Sequence, residues 1–206
     1  MDRRSSSRRW IKRQNGDSYV KDRHKRGFRS RAAFKLQEID RRDRLIGVGM
    51  KVIDLGASPG GWTQVAAGIV GLSGTVVAVD VLSMKPVAGT VIIEGNCHDA
   101  DVMEAVRAAL HGGGADLVMS DLAPNITGVA AVDEAAQIEL CEATLGFVRE
   151  FLQPGGSLLI KLFQFSETDA MVDEVSRQFR DIWRRKPPAS RSQSREFYVV
   201  AKRYGI

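Results

Sequence analysis

The run Lys51-Val-Ile-Asp-Leu-Gly-Ala-Ser-Pro-Gly-Gly-Trp62 limits what this chain can fold into more than any other stretch. A short apolar segment (Val52, Ile53, Leu55) bounded by turn residues reads as a buried strand. Gly56, Gly60 and Gly61 allow a tight turn and a close approach of backbone to a ligand. Trp62-Thr-Gln-Val-Ala-Ala-Gly-Ile-Val70 then has helical spacing, so the turn opens a helix whose first N–H groups point into the crevice. That arrangement is a nucleotide-type cofactor site.

Spacing removes two kinds of cofactor. A dinucleotide fingerprint needs G-x-G-x-x-G, and Gly56-Ala-Ser-Pro-Gly60-Gly61 has no glycine in the second slot. A phosphate loop needs a lysine where Trp62 stands, so a triphosphate lacks its cation. Asp54, on the strand, would repel phosphate but suits an ammonium. The next strand, Thr75-Val-Val-Ala-Val-Asp80, ends in an acid 24 residues after Gly56, close to the offset of a carboxylate that holds ribose hydroxyls. An adenosyl cofactor with an amino-acid end fits all three facts, and S-adenosylmethionine is the natural candidate. The loop residues Ser58 and Pro59 join Asp54, Gly56, Gly60, Gly61, Trp62 and Asp80 as the expected binding set. An unliganded strand–turn–helix connection is the plainer alternative, and six turn-type or small residues followed by a spaced acid argue against it.

The rest of the chain alternates strands with helices. Ser30 is placed to cap a helix reaching about Leu45, with Ala33, Leu36, Ile39 and Leu45 on its apolar face. Strands are expected at 51–56, 75–80, 91–95, 116–121 and 157–163. The intervening helices fall at about 60–70, 99–110, 133–152 and 167–179, the third stopping at Pro154-Gly155-Gly156. Ile182–Arg185 and Glu196–Lys202 read as a terminal hairpin with a long loop. This pattern predicts an α/β fold, doubly wound around a mostly parallel sheet, with ligands at the carboxyl ends of its strands.

Composition excludes several classes. At 206 residues the chain suits one domain, and no apolar run approaches a membrane span or a secretory signal. Cys97 and Cys141 are far apart, and His24, His98 and His111 are scattered, so reduced cysteines, a cytoplasmic location and no metal are expected. The net charge of +5 conceals a partition. Residues 1–31 hold 12 Lys+Arg against 3 Asp+Glu and residues 184–206 hold 7 against 1, whereas residues 32–183 hold 11 against 21. Basic ends on an acidic body suit nucleic-acid phosphates. Trp10, Tyr19 and Phe28 interleaved with the first cluster favour that over a solubilising tail, so residues 1–28 are expected to be a flexible RNA-binding arm.

Polar residues at the strand ends are the candidates for chemistry. Asp121 closes the fourth strand, and Lys161 interrupts an otherwise apolar fifth one. A lysine in a buried run is costly unless paired or neutral, so it marks either a functional site or a structural pair with Asp121. Glu196 opens the last strand, and Lys35 lies on the first helix. The set Lys35, Asp121, Lys161 and Glu196, with Asp-Leu-Gly-Ala-Ser-Pro-Gly-Gly-Trp, closely resembles the FtsJ-type family of ribosomal RNA large-subunit 2′-O-ribose methyltransferases. Arg29-Ser-Arg-Ala-Ala-Phe-Lys-Leu36, Ser120-Asp-Leu-Ala-Pro-Asn125, Pro154-Gly-Gly-Ser157 and Ser192-Gln-Ser-Arg-Glu196 extend the likeness over almost the whole chain.

The resemblance implies a Rossmann-like, S-adenosylmethionine-dependent methyltransferase fold over residues 29–206, with a seven-stranded sheet, helices on both faces and a C-terminal antiparallel hairpin. It also implies a monomer whose Lys-Asp-Lys-Glu tetrad methylates a uridine 2′-hydroxyl in the peptidyl-transferase loop of 23S rRNA, within the large ribosomal subunit. Lys161 would be the base and must be neutral to act, while Asp121 and Glu196 orient it. Gly60, Trp62, Asp80 and Asp121 carry over as cofactor contacts. One position departs: where the family commonly has an aspartate against the adenine, this chain has Asn96, which can still accept and donate. Asp99 is then left as a helix cap. Transfer RNA or messenger-RNA caps remain alternative substrates. A non-catalytic assembly factor or a small-molecule enzyme would leave the tetrad or the basic ends without purpose.

Overall fold

The computed structural model describes residues 26–205 apart from Ser192, so most of the expected basic arm lies outside the described residues. The first helix, α1 (Ala32–Asp43), leads to β1 (Lys51–Leu55), α2 (Gly61–Val70), β2 (Thr75–Asp80) and β3 (Thr90–Glu94). Then come α3 (Ala100–Ala109), β4 (Ala115–Ser120), α4 (Ala130–Phe151), β5 (Leu152–Phe163), α5 (Thr168–Ser176), β6 (Phe179–Arg185) and β7 (Glu196–Tyr204). The seven strands form one sheet in the order β3-β2-β1-β4-β5-β7-β6, parallel except for β7, which runs antiparallel to both neighbours.

Strand periodicity divides the core. Ile53, Leu55, Val77, Val79, Val118 and Ile160 face one side, where α3, α4 and α5 bring Val106, Phe147, Val148 and Val175. Val52, Val76, Leu117, Met119, Leu159 and Val200 face the other, covered by Leu36 and Ile39 of α1 and Trp62, Val65 and Ala66 of α2. Because successive strand residues alternate faces, Asp54 points the same way as Val52 and is buried beneath α2. The apolar face expected for α1 is realised by Ala33, Leu36 and Ile39, whereas the helix ends at Asp43 and Leu45 is buried beyond it.

Three local expectations are corrected. Ser30 does not cap α1: the helix starts after Arg31, with no side-chain cap, and Ser30 packs on Gly61 instead. Asp99 occupies the N-cap position of α3 but makes no side-chain cap bond. Helix α4 runs from Ala130 to Phe151 and passes directly into β5, so Pro154-Gly155-Gly156 does not end the helix. Those residues lie in a bulge, where the register slips from Ala115↔Leu152 to Leu117↔Ser157. A proline and two glycines, which weaken a regular ladder, fit a bulge well.

Topology places the crevice. From β1 the chain moves outward through β2 and β3, then returns to lay β4 on the other side of β1. This reversal opens a cleft at the carboxyl ends of β1 and β4, where ligands of open α/β sheets bind. The antiparallel β7 adds a second consequence: its first residue, Glu196, pairs with Phe163 at the carboxyl end of β5. Residues far apart in sequence thereby reach one edge.

Candidate active site

Four side chains predicted to act together are brought together as two ion pairs. Lys161, in β5, places its Nζ 2.9 Å from Asp121 Oδ1 and donates to the Asp121 carbonyl oxygen at 2.6 Å. Its side chain is 7 % exposed, so the sheet presents one edge of a buried amine to the cleft. Lys35, on α1, makes an ion pair with Glu196 at the start of β7, and both side chains are 11 % exposed. Burial on its own would raise the Glu196 carboxyl, but the hydrogen bond and charge of Lys35, with the charge of Lys161, hold it below the ordinary range.

Tyr198 joins the two pairs, and sequence reasoning missed it. It lies directly across from Lys161 in the β5–β7 ladder and is fully buried. Its hydroxyl donates to Asp121 Oδ1 at 3.2 Å, and Lys35 Nζ sits 5.7 Å from its ring centroid. Burial, then the charges of Asp121 and Glu196, push the phenol well above its usual value, so it stays a neutral donor. The available signal was period two: Tyr198 shares a strand face with Glu196.

The residues expected to hold the cofactor lie at and beyond the carboxyl ends of β1, β2 and β3, and two of the expectations meet a different environment. Asp80 ends β2 and is held by two main-chain donors: Ser58 N–H to Oδ2 and Leu82 N–H to Oδ1, each at 2.8 Å. Trp62 donates its indole N–H to the Ala32 carbonyl at 2.9 Å, which ties α2 to α1, and its ring lies 5.7 Å from that of Tyr198. Pro59 is exposed on the loop with Ser58 half-buried beside it. Asn96 is exposed and its Oδ1 accepts the His98 N–H at 3.0 Å.

The first difference is Asp54, which is wholly buried: one oxygen accepts from Thr63 Oγ1 at 2.7 Å and the other has no hydrogen-bond partner. Desolvation raises its carboxyl to about 7. The second concerns the glycines. A β-carbon at Gly60 (φ 103°) would lie 2.9 Å from Arg29 Nη1, and one at Gly61 only 2.0 Å from Ser30 Oγ. The room they leave is filled by the segment before α1, a use the sequence reading had assigned to a ligand.

Lys35 and Glu196, together with Arg31, Arg191, Gln193 and Ser194, wall an open cavity of about 400 Å³. The basic C-terminal cluster thus contributes Arg191 to the mouth of the site.

The FtsJ-like methyltransferase family matches residues 28–204. Proteins named ribosomal RNA large subunit methyltransferase E are similar along nearly their whole length. The one from Alkalilimnicola ehrlichii is 46 % identical over 99 % of this chain and 98 % of its own. The one from Marinobacter nauticus is 45 % identical over 100 % of both. The chain belongs to the FtsJ-like methyltransferase family. Among solved structures, a Plasmodium falciparum protein described as a ribosomal RNA methyltransferase has a TM-score of 0.77 at 24 % identity, covering 86 % of this chain and 98 % of its own. Aeropyrum pernix fibrillarin with bound S-adenosyl-L-methionine has a TM-score of 0.58 at 15 % identity, covering 82 % and 73 %. Both share the fold.

The methyl donor of this family is S-adenosylmethionine, and the cleft suits it. Asp80 keeps free lone pairs for ribose hydroxyls after receiving one N–H on each oxygen. Asp54 lies wholly buried beneath the loop, with one oxygen free of hydrogen bonds. Asp121, paired with Lys161, follows β4 at the carboxyl edge of the sheet.

Proposed function

We propose that this FtsJ-like enzyme methylates the 2′-oxygen of a uridine ribose in the 23S rRNA of the large ribosomal subunit. The reading is supported by the full-length likeness to ribosomal RNA large subunit methyltransferases E and by basic residues at the mouth of the site. It comprises a methyltransferase domain over residues 29–206 that works as a monomer, without a metal, in the cytoplasm. A basic arm over residues 1–28 contacts the RNA.

The observation that carries it is the double anchoring of Lys161. A neutral amine has two N–H groups and one lone pair. Once Lys161 has lost a proton, Asp121 Oδ1 and the Asp121 carbonyl would take its two remaining N–H groups and leave the lone pair for an incoming O–H. Lys161 then accepts the hydroxyl proton, and Asp121 stabilises the ammonium that results. Tyr198 holds the same carboxylate oxygen, which restricts its rotation. Lys35 and Glu196 fix the other wall and place a cation and an anion where ribose hydroxyls enter. When bound, S-adenosylmethionine supplies an electrophilic methyl on a sulfonium. Gly56, Ser58, Pro59, Gly60, Gly61, Trp62, Asp80, Asn96 and Asp121 would hold it, with Asp54 lying beneath.

Transfer of tritiated methyl to purified large subunits lacking the modification tests the proposal. Wild type should place label in ribose 2′-O-methyl, and Lys161→Ala should not. Label on transfer RNA or cap analogues but not on subunits would replace the substrate. Cofactor binding without transfer to any RNA would leave a non-catalytic RNA-binding factor.

A further inference from the structure

Arg29 precedes α1, at the end of a strongly basic segment, where phosphate contact is the first expectation. Its guanidinium is directed elsewhere. Nη1 donates to the carbonyl oxygens of Lys85 and, at 3.4 Å, Pro59, and Nη2 donates to that of Pro86 at 2.6 Å. The Arg29 main-chain N–H meets Gln64 Oε1 at 2.8 Å, and Gln64 Nε2 returns to the Gly27 carbonyl at 3.2 Å. The segment before the catalytic helix is therefore stitched to both loops that rim the cofactor cleft: the 56–60 turn after β1 and the 81–89 connection after β2.

Those two loops have a second tie on their inner side. Asp80 accepts the N–H of Ser58 from one loop and of Leu82 from the other. Asp80 and Arg29 thus form an inner and an outer staple across the same gap. The start of the second loop packs little against the body, since Val81 and Leu82 are 62 % and 64 % exposed. Gly60 is the geometric counterpart, because its missing side chain and left-handed backbone let the guanidinium lie against the turn.

We propose that Arg29 is a positioning residue for the cofactor, setting the separation of the two loops between which S-adenosylmethionine binds. Its planar fork reaches three carbonyls at once, which a lysine ammonium on a single flexible stem does not reproduce. This inference rests on the cleft described above being the cofactor site.

The test measures S-adenosylmethionine dissociation constants by calorimetry without RNA for wild type, Arg29→Ala, Arg29→Lys and Asp80→Ala, with filter binding of ribosomal RNA in parallel. Loss of two or three main-chain hydrogen bonds predicts a dissociation constant raised about tenfold in Arg29→Ala and nearly as much in Arg29→Lys. Turnover at saturating cofactor should change by less than about threefold, so that KM for cofactor rises while kcat holds. Arg29→Lys should keep its RNA affinity. Should Arg29→Lys bind cofactor like wild type while Arg29→Ala loses RNA, Arg29 is a phosphate contact and the inference is overturned. It is overturned equally if Asp80→Ala weakens cofactor binding and neither Arg29 variant does. Undiminished binding by Asp80→Ala would instead remove the cleft assignment itself. Melting curves identify any variant that fails to fold, and Arg29→Lys, which retains the charge and the stem, serves if Arg29→Ala is one.

Discussion

The two sides of the sheet reach function by different routes. On the β2–β1 side, the cleft proposed for the cofactor is assembled from connections adjacent in sequence: a turn after β1, a loop after β2, and main-chain N–H groups gripping Asp80. On the β5–β7 side, the groups proposed for catalysis are side chains from α1, from the ends of β4 and β5 and from the start of β7, joined by ion pairs over long separations. A site built from backbone tolerates changes of side chain. One built from paired buried charges does not, because losing one partner leaves the other charge desolvated. The comparison therefore predicts that damage on the catalytic side falls on rate, while damage on the cofactor side falls on affinity.

The largest effect should come from Lys161→Ala. Removing a general base is expected to lower the rate of methyl transfer by about 10²–10⁴, while cofactor affinity, measured by calorimetry, stays within about threefold. A comparable loss of cofactor binding would break the separation of the two sides.

Asp54 tests the cofactor side through pH. Its carboxyl is raised from 3.8 to about 7, so the folded state holds a proton that the unfolded chain has released. That contribution to stability is complete below the unfolded value and is lost as pH rises through about 7. Asp54→Asn keeps a partner for Thr63 and removes the titration. Relative to wild type it should gain roughly 2–3 kcal/mol of stability between pH 5 and pH 8 in urea melts without cofactor. Parallel pH profiles for the two proteins would show that Asp54 is not titrating in that range.

A double-mutant cycle on Lys35 and Glu196 sharpens the catalytic side. Each alanine variant leaves a largely buried charge unpaired, so the double variant should be less destabilised than the sum of the singles by about 1–2 kcal/mol. Additive losses would mean the ion pair is not energetically coupled. The smallest change is expected from Asn96→Asp. The Asn96 oxygen that receives the His98 N–H has a counterpart in aspartate, so the cofactor dissociation constant should move by no more than about threefold.

What could be read in advance follows the same division. The strand–glycine–helix run, the acid at Asp80 and the alternation of strands and helices are local and appear in the expected order, with boundaries shifted where β5 begins at Leu152 and the helix after it ends at Ser176. Asp54 was legible as a buried-strand carboxylate but not as one enclosed beneath α2, because only the packing of α2 decides what covers a strand face. Ser30 is a residue type that caps helices, yet its side chain lies against Gly61, where no β-carbon stands in the way. The proline and glycines at 154–156 have the composition of a helix stop, yet sheet pairing drew them into a bulge. Tyr198 looked like one more apolar strand residue until the antiparallel register set it opposite Lys161.

By itself the sequence determined the fold class, the cofactor turn and the identity of the charged residues, since these depend on periodicity, turn chemistry and the cost of burying charge. Only the tertiary structure decided which charges pair, that a tyrosine bridges them, and that the glycines of the turn make room for Arg29 and Ser30. Those outcomes depend on an antiparallel last strand and on a helix laid across the sheet. Both are long-range contacts, and no local pattern encodes their geometry.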